Sequence, residues 1–229
     1  MSETEWTVAG YDCETTGTNV ATDRIVSAAL VRRAADGRTE THTWLIDPGI
    51  DIPPAATAIH HITTEQVRDH GADPAQALDD IAQSLVAGLA AGIPLVIYNA
   101  SFDVRILDAE LNRHGLSPLA QRLGKAVAPI IDPLVIDREA DRYRKGPRTL
   151  TDLMRVYKVP VSGRAHDATG DVLNTLALFD ALARRHAILP TDPYELHHWQ
   201  VAAHRKWATH YNGWLTGQGR APSANPVWP

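Results

Sequence analysis

The feature that most constrains this chain is a pair of carboxylates near its start. Asp12 and Glu14 stand two positions apart at the end of a short apolar run over residues 6–11. Such a run is typical of a β-strand, in which alternate side chains lie on the same face. We therefore expect the two carboxylates side by side, with Cys13 on the opposite face. Adjacent anions repel unless a cation or a proton lies between them, although a solvated turn is an equally good reading of the pair alone, since a Thr-Thr-Gly turn signal follows.

Length and composition indicate an ordinary globular enzyme or binding module. The 229 residues suffice for one α/β domain plus an appendage, and the chain is 44% hydrophobic and 21% charged. A net charge of -5 argues against a nucleic-acid coat protein but not against a nucleic-acid enzyme. The single cysteine excludes an internal disulfide framework. No apolar run reaches the roughly 18 residues of a membrane span, and the acidic N-terminus does not resemble a signal peptide, so we expect a cytoplasmic protein.

The order of predicted elements indicates an α/β fold with a mixed, five-stranded sheet. Strands are predicted over residues 6–11, 24–33, 39–46, 93–98 and 128–136. Helices are predicted over residues 74–91, 104–114, 150–157, 168–185 and 195–215. Asp36-Gly37 is a strong hairpin signal, so the first three strands should form an antiparallel meander. The fourth strand should lie parallel to the first after a right-handed crossover.

Further carboxylates fall where such a sheet gathers functional groups, at strand ends. Asp103 lies in the first turn of the helix after the fourth strand, with Ser101 as its predicted cap. Asp171 lies in the first turns of a long helix, five residues after His166. Each has a simpler explanation by itself: a helix-dipole contact for Asp103, an exposed helix carboxylate for Asp171 and a loop histidine for His166. The predicted convergence favours a shared site.

Three segments together resemble the exonuclease motifs of the DEDDh family of 3′–5′ exonucleases, which contains the epsilon proofreading subunit of bacterial replicative polymerases. The segments are Asp12-Cys13-Glu14-Thr15-Thr16-Gly17, Asn99-Ala100-Ser101-Phe102-Asp103 and His166-Asp167-Ala168-Thr169-Gly170-Asp171. The resemblance implies a ribonuclease-H-like fold, a mixed five-stranded sheet flanked by helices. It also implies an exonuclease domain over residues 5–186, followed by a C-terminal helical extension over residues 187–229.

The resemblance also implies a metal site and a catalytic set. Asp12, Glu14, Asp103 and Asp171 are expected to hold two Mg²⁺ or Mn²⁺ ions, which in such sites lie about 3.5–4 Å apart. Asp12 is the expected bridging ligand. His166 is the expected general base, because an ordinary imidazole pKa of about 6.5 suits that task.

Substrate contacts are implied at further positions, where plain core packing or turn formation is the alternative. The residues are Thr15, Thr16, Ile59, His60, Asn99 and Phe102. The family usually has glycine after the histidine at position 60, and His61 departs from that pattern. The basic residues between Arg138 and Arg148 are either a phosphate track or a solvated face.

The implied activity is hydrolysis from the 3′ end of single-stranded or frayed DNA, releasing nucleoside 5′-monophosphates. An oligoribonuclease-like enzyme acting on short RNA and a polymerase-associated binding module are the alternatives. The last predicted helix carries one aromatic face, formed by Trp199, Ala203, Trp207, Tyr211 and Trp214. We expect this face to pack on the domain's own surface, with docking to a polymerase or to a second copy of the chain as the alternative.

Overall fold

The computed structural model of the protein describes residues 6–162 and 167–229, and within these ranges the chain forms one five-stranded sheet and nine helices. The elements in chain order are β1 (Val8–Thr15), β2 (Ile25–Arg33), β3 (Thr39–Leu45), α1 (Pro54–His60), α2 (Thr64–His70), α3 (Pro74–Ala90), β4 (Leu95–Val96), α4 (Ala100–Arg113), α5 (Leu119–Leu123), β5 (Ile130–Ile131), α6 (Pro133–Ala140), α7 (Leu150–Tyr157), α8 (Ala168–Arg185) and α9 (Pro193–Gly217). Within the described ranges, no helix combines the length and the apolar character needed to cross a bilayer.

The sheet has the order β3-β2-β1-β4-β5, with an antiparallel meander on one side and parallel strands on the other. The predicted mixed sheet and its antiparallel start are therefore confirmed. The carboxyl ends of β1, β4 and β5 lie at one edge because these three strands are parallel. This edge carries the end of β1 and the starts of α4 and α6.

The last two strands are shorter than the sequence predicts. The prediction of strands over residues 93–98 and 128–136 was wrong in extent, since β4 and β5 have two residues each. Single hydrogen bonds extend the pairing on both sides, from the Ala9 amide to Pro94 and from the Ile97 amide to Ile131. Pro133 ends β5 because it has no amide hydrogen for a ladder and is suited to the first turn of a helix, where it begins α6.

The two faces of β1 pack against different helices. Ala9, Tyr11 and Cys13 belong to the core that also includes residues of α3 and α4. On the other face, Gly10 lies so close to α8 that an added Cβ would stand 2.6 Å from a methyl group of Val172. Asp12 and Glu14 follow Gly10 at intervals of two, so strand alternation places both carboxylates on the α8 side.

Helix α8 is fixed to the sheet by polar as well as apolar contacts. The Arg33 guanidinium of β2 donates to both carboxylate oxygens of Asp180, at 2.7 and 2.8 Å. Val172, Leu176 and Phe179 are buried in the core on this face. The helix spans the predicted residues 168–185. It begins at the edge formed by the carboxyl ends of β1, β4 and β5, and Asp171 lies in its first turn.

Helix α9 packs on β5 and α6 through a face that only partly coincides with the predicted aromatic face. Leu196, Gln200, Ala203, Ala208 and Leu215 are buried. Gln200 accepts a hydrogen bond from the Asp132 amide at 2.7 Å and donates to the Ile130 carbonyl at 3.1 Å. The aromatic face turns outward along the helix, and Trp214 is 54% exposed.

The basic segment over residues 138–148 begins in α6, and two of its arginines face a buried carboxylate. Asp137 is fully buried and accepts hydrogen bonds from Arg144, Arg148 and Tyr157. The Arg138 guanidinium stacks on the Trp207 ring at 3.9 Å from its centroid. Of the two readings of this segment, neither fits Arg144 and Arg148, which act as internal counter-ions.

Candidate active site

Three carboxylates from two distant parts of the chain meet at the end of β1. Oxygen atoms of Asp12, Glu14 and Asp171 all lie within 4.8 Å of one another, and all three side chains are half-buried. Asp12 and Glu14 come from adjacent same-face positions of β1, and Asp171 from the first turn of α8. Hard divalent cations prefer such an oxygen-only ligand set, so this cluster is able to hold a metal ion.

Asp103 reaches the same region from α4, on the opposite side of β1. Its Oδ1 accepts hydrogen bonds from the backbone N–H and from the Sγ–H of Cys13, both at 3.2 Å. The carboxylate is buried at 4% exposure. Cys13, which separates Asp12 from Glu14 in the sequence, thereby ties α4 to the strand that carries the other two ligands.

The pKa values of these groups reflect repulsion in a partly dry site. Burial, then the charges of Asp103, Glu14 and Asp171, raise the pKa of Asp12 well above its usual value. Burial and the charge of Asp171 raise the pKa of Glu14 to about 8. Burial raises the pKa of Asp103 to about 7, against the lowering effect of the two Cys13 hydrogen bonds. A bound cation would favour the ionised form of all these groups, so the residues fit the metal that the resemblance implies.

His166, the expected general base, lies outside the described residues. The chain on both sides of it is anchored to α8. The Asn174 side chain accepts from the Ser162 amide at 2.8 Å and donates to the Ser162 carbonyl at 3.1 Å. Asp167 caps α8, accepting from the Gly170 amide at 3.2 Å.

The start of α4 depends on a strained residue and a buried carboxylate. Asn99 is the N-cap, with φ of 60°, so the prediction that Ser101 caps this helix was wrong. Asn and Asp tolerate this left-handed region better than most residues. The amides of Asn99 and Ala100 donate to Asp132 at 3.0 Å each, and Asp132 thus fixes the turn that places Asp103.

Phe102 and the two threonines have partly structural surroundings. Phe102 is half-buried and packs against the core that includes α3 and β1. The Thr15 hydroxyl donates to the Gly17 carbonyl at 2.7 Å. Thr16 is buried; its hydroxyl donates to Asp23 at 3.3 Å and accepts from the Arg24 amide at 3.0 Å.

Ile59 and His60 lie on α1, whose Ala56 belongs to one apolar cluster with Val26 at the start of β2, the part of that strand that pairs with Glu14 and Thr15. Ile59 is 51% exposed, whereas His60 is buried and its Nδ1 accepts from the Ile62 amide at 3.1 Å. His61 ends the helix with φ of 63°. The position where the family usually has glycine therefore takes the backbone conformation that glycine favours, with histidine as an uncommon occupant.

Sequence reasoning missed three residues that shape the site. The strand pattern places Cys13 on the face opposite the two carboxylates and gives it no further role, whereas its thiol bonds to Asp103. Asp132 supports α4 from β5, and the charge of Asp167 adds to the raised pKa values of Asp12 and Glu14. The Asp-Pro pair at Asp132 and the helix start after Asp167 were visible as N-cap signals, but neither signal reveals proximity to distant carboxylates.

Comparison with known proteins gives a family match over most of the chain. A family model described as Exonuclease matches residues 9–179. The DNA polymerase III PolC-type of Lacticaseibacillus paracasei is 29% identical over 177 residues, which cover 77% of this chain but 11% of that protein. The DNA polymerase III subunit epsilon of Treponema pallidum is 28% identical over 179 residues, covering 77% of this chain and 76% of that protein. The chain thus spans about a tenth of the PolC-type relatives.

Solved structures of exonuclease I share the fold. The Escherichia coli enzyme in complex with a dT13 oligonucleotide superposes with a TM-score of 0.64 at 23% identity, covering 79% of this chain and 41% of that one. The enzyme of Methylocaldum szegediense gives a TM-score of 0.67 at 22% identity, covering 87% and 43%. At these identities the likeness establishes the architecture.

Proposed function

The chain belongs to the exonuclease family, and from that premise we propose that it removes nucleotides from the 3′ end of single-stranded or frayed DNA. The products are nucleoside 5′-monophosphates. The observation that carries the proposal is the convergence of Asp12, Glu14 and Asp171 on one face of β1, with the Asp103 carboxylate bonded to Cys13 between Asp12 and Glu14. Unrelated acidic residues on a surface stay hydrated and apart, because burying mutually repelling carboxylates is unfavourable, whereas these four are wholly or partly buried close together.

The proposed cofactor is a pair of Mg²⁺ or Mn²⁺ ions. Asp12, Glu14 and Asp171 would hold one, while Asp12 and Asp103 would hold the second, Asp103 partly through water. Bound cations supply charge neutralisation at the scissile phosphate and at the attacking and leaving oxygens. The chain's own contribution is to orient the four carboxylates from three separate elements and to keep them partly desolvated, which strengthens their electrostatic interactions.

The proposed proton acceptor is His166. Its place in the sequence, between two anchored residues at the start of α8, supports this role, since Asp171 lies five residues later in the cluster. A neutral imidazole there would take the proton of the attacking water. Thr15, Thr16 and Asn99 are proposed to hold the terminal nucleotide, and Ile59, His60 and Phe102 to line its base.

DNA is the proposed substrate because the relatives at 28–29% identity are DNA polymerase III proteins. The test is release of mononucleotides from 3′-labelled strands, compared for a single-stranded DNA 10-mer, a mismatched duplex and RNA of two to five nucleotides. We expect hydrolysis of DNA with Mg²⁺ or Mn²⁺ and none with EDTA. A strong preference for RNA dimers would replace the DNA assignment with the oligoribonuclease-like one.

A further inference from the structure

A pocket lies beside the candidate active site, between the start of α4, α6 and the C-terminal half of α9. Its volume is about 200 Å³. The wall includes Ser101 and Arg105 of α4, Arg138 of α6, His204 of α9 and Trp228 of the C-terminal tail. These five residues lie outside the proposed catalytic set and the proposed contacts of the terminal nucleotide, whereas Asn99, which also lines the pocket, is one of those contacts.

Polar atoms without a partner are concentrated in this wall. Within the described part of the chain, Ser101 Oγ, His204 Nδ1 and Trp228 Nε1 are buried without a hydrogen-bond partner. His204 and Trp228 are 8% and 5% exposed. His204 Nδ1 is an acceptor, because Nε2 of the same ring donates to the Asn225 carbonyl at 2.9 Å. The Ser101 hydroxyl and the Trp228 indole N–H are donors. An unpaired buried polar group costs about 1–3 kcal/mol, so two unpaired donors in one wall indicate a site that a ligand with acceptor atoms completes.

The charge of the wall favours an anion. Arg105 and Arg138 make no ion pair within residues 6–162 and 167–229. Asp132 also lines the pocket and its charge acts on Arg138, so it offsets one of the two positive charges, while its oxygens accept hydrogen bonds from three backbone amides. The Trp228 indole N–H and the Ser101 hydroxyl add two neutral donors. Two guanidiniums with such donors are the chemistry that binds a phosphate group.

Stacked aromatic rings lead out of the pocket along α9. The Trp207 and Tyr211 rings stack at 5.5 Å with an angle of 10°, and those of Tyr211 and Trp214 at 5.9 Å with an angle of 26°. Trp207 lines the pocket, and Trp214 is 54% exposed. A basic groove combined with exposed stacked aromatics is how proteins bind single-stranded nucleic acid without sequence preference.

The pocket is placed to receive the same strand as the active site. Asn99 lies in its wall and stands four residues before Asp103. Helix α9 runs alongside β5 in the same direction, since His197 bonds to the Ile130 amide and Gln200 to the Asp132 amide, so its later turns extend beyond the carboxyl end of β5. Because neighbouring strands lie about 4.8 Å apart, β5 is only about 10 Å from β1. A strand with its 3′ end at the carboxylates therefore reaches the pocket within a few nucleotides.

We propose that this pocket binds a backbone phosphate of the nucleic-acid strand upstream of the bond to be cleaved, with the adjoining bases stacked over Tyr211 and Trp214. Arg105, Arg138, Ser101 and Trp228 donate to the phosphate oxygens. The assignment of the phosphate to a substrate strand rests on the proposed function, whereas the binding of phosphate by the pocket is independent of it.

The test measures binding by the full-length protein in EDTA, so that hydrolysis does not intervene. A 5′-fluorescein-labelled single-stranded DNA 10-mer is titrated by anisotropy against wild type, Arg105→Gln and Trp228→Phe. We expect each substitution to weaken binding about tenfold, the effect of losing a hydrogen bond to a charged group. Arg105→Gln should also reduce the slope of log affinity against log salt by about 0.7, the value for one phosphate contact on a single strand.

Arg184→Gln is the matched control, because it removes one exposed positive charge at the far end of α8. It should change neither affinity nor slope. Thermal midpoints of all variants report folding, and Trp228→Phe keeps an aromatic ring in the wall. Unchanged affinity and slope in Arg105→Gln, with the fold intact, would overturn the proposal and leave a water-filled pocket.

One further measurement distinguishes a strand phosphate from a free phosphate or nucleotide as the ligand of the pocket. Another distinguishes failure of the pocket proposal from failure of the proposed function. Orthophosphate and a nucleoside 5′-monophosphate are titrated as competitors of the 10-mer. Weak competition by both supports the assignment of the pocket to a strand phosphate. A monophosphate that binds as tightly as the 10-mer would overturn that assignment in favour of a mononucleotide site. Wild-type hydrolysis with Mg²⁺ is scored independently, so loss of hydrolysis with normal pocket binding contradicts only the proposed function.

Discussion

Cys13 and Asp103 are joined by two hydrogen bonds, from the backbone N–H and from the thiol of Cys13 to the same carboxylate oxygen, both at 3.2 Å. Cys13 lies between Asp12 and Glu14 on β1 but on the opposite face of the strand. The segment therefore presents two carboxylates toward α8 and holds a third, on α4, from behind. Cys13, together with the sheet, therefore fixes the distance of Asp103 from Asp12 and Glu14.

Cys13→Ala should weaken the proposed site without dismantling it. The substitution keeps the backbone donor but removes the thiol donor, which helps to lower the pKa of Asp103. The pKa of Asp103 therefore rises, and we expect the Mg²⁺ concentration for half-maximal hydrolysis to rise severalfold. Cys13→Ser restores a donor and should recover most of the loss. Identical Mg²⁺ titrations for Cys13→Ala and wild type would show that the thiol does not support Asp103.

Stability in the absence of metal should depend on pH through Glu14 and Asp103. Their pKa values are about 8 and about 7 in the folded protein, against about 4.3 and 3.9 in an unfolded chain. The folded state binds more protons between these limits, so the contribution of both groups to stability is lost as pH rises from about 4 to 8. Chemical denaturation in EDTA should show this loss, and saturating Mg²⁺ should reduce it.

Buried histidines contribute the opposite trend, because burial lowers the pKa values of His197 and His204. The readout is therefore the difference between wild type and Glu14→Gln across the pH range. We expect Glu14→Gln to be more stable than wild type in EDTA at pH 8 and to lose that advantage near pH 4. A difference that does not change with pH would contradict the raised pKa of Glu14.

Gly10→Ala should separate the sheet from α8. The new Cβ would stand 2.6 Å from Val172 Cγ1 and 3.1 Å from Leu176 Cγ, and a valine in a helix has little rotamer freedom with which to yield. We expect unfolding free energy to fall by about 1–3 kcal/mol and hydrolysis to fall because Asp171 adjoins Val172. Adding Val172→Ala should restore both. Gly88→Ala, with open space around it on α3, is the control and should be neutral or stabilising.

Arg148→Gln should destabilise the fold, because it leaves Asp137 buried with one fewer counter-ion. Breaking a buried pair costs about 3–5 kcal/mol, whereas an exposed pair is worth about 1 kcal/mol or less. Arg142→Gln is the matched control in the same basic segment, since Arg142 pairs with Glu139 at the surface. Urea denaturation compares the two. Equal, small effects would mean that Arg148 has no structural role.

Elements and motif positions that depend on residues close together in the chain agree with the prediction from sequence. The limits of α7 and α8 agree with the sequence periodicity, and α3 begins at Pro74 as expected, with Asp73 as its N-cap. Strand alternation alone places Asp12 and Glu14 on one face. These features depend on neighbours in the chain, which the sequence shows directly.

The remaining features depend on contacts between distant segments. The thiol of Cys13 bonds to a residue 90 positions away, and Asp132, after β5, supports Asn99, after the neighbouring strand β4. The role of Arg148 as an internal counter-ion could not be told from that of a phosphate ligand, because both require only a positive charge in the sequence. The aromatic face of α9 has the helical period of a core face, yet its last ring is exposed because α9 extends beyond the sheet.

Hydrolysis by Asp12→Asn is the most direct test of the proposed metal-dependent site. The substitution keeps the shape of the side chain and removes the charge that the two proposed cations share. With 3′-labelled single-stranded DNA and saturating Mg²⁺, we predict release of mononucleotides to fall by at least about 10²-fold, with a thermal midpoint in EDTA equal to or above that of wild type. Hydrolysis by Asp12→Asn at a rate close to that of wild type would contradict the assignment of the site.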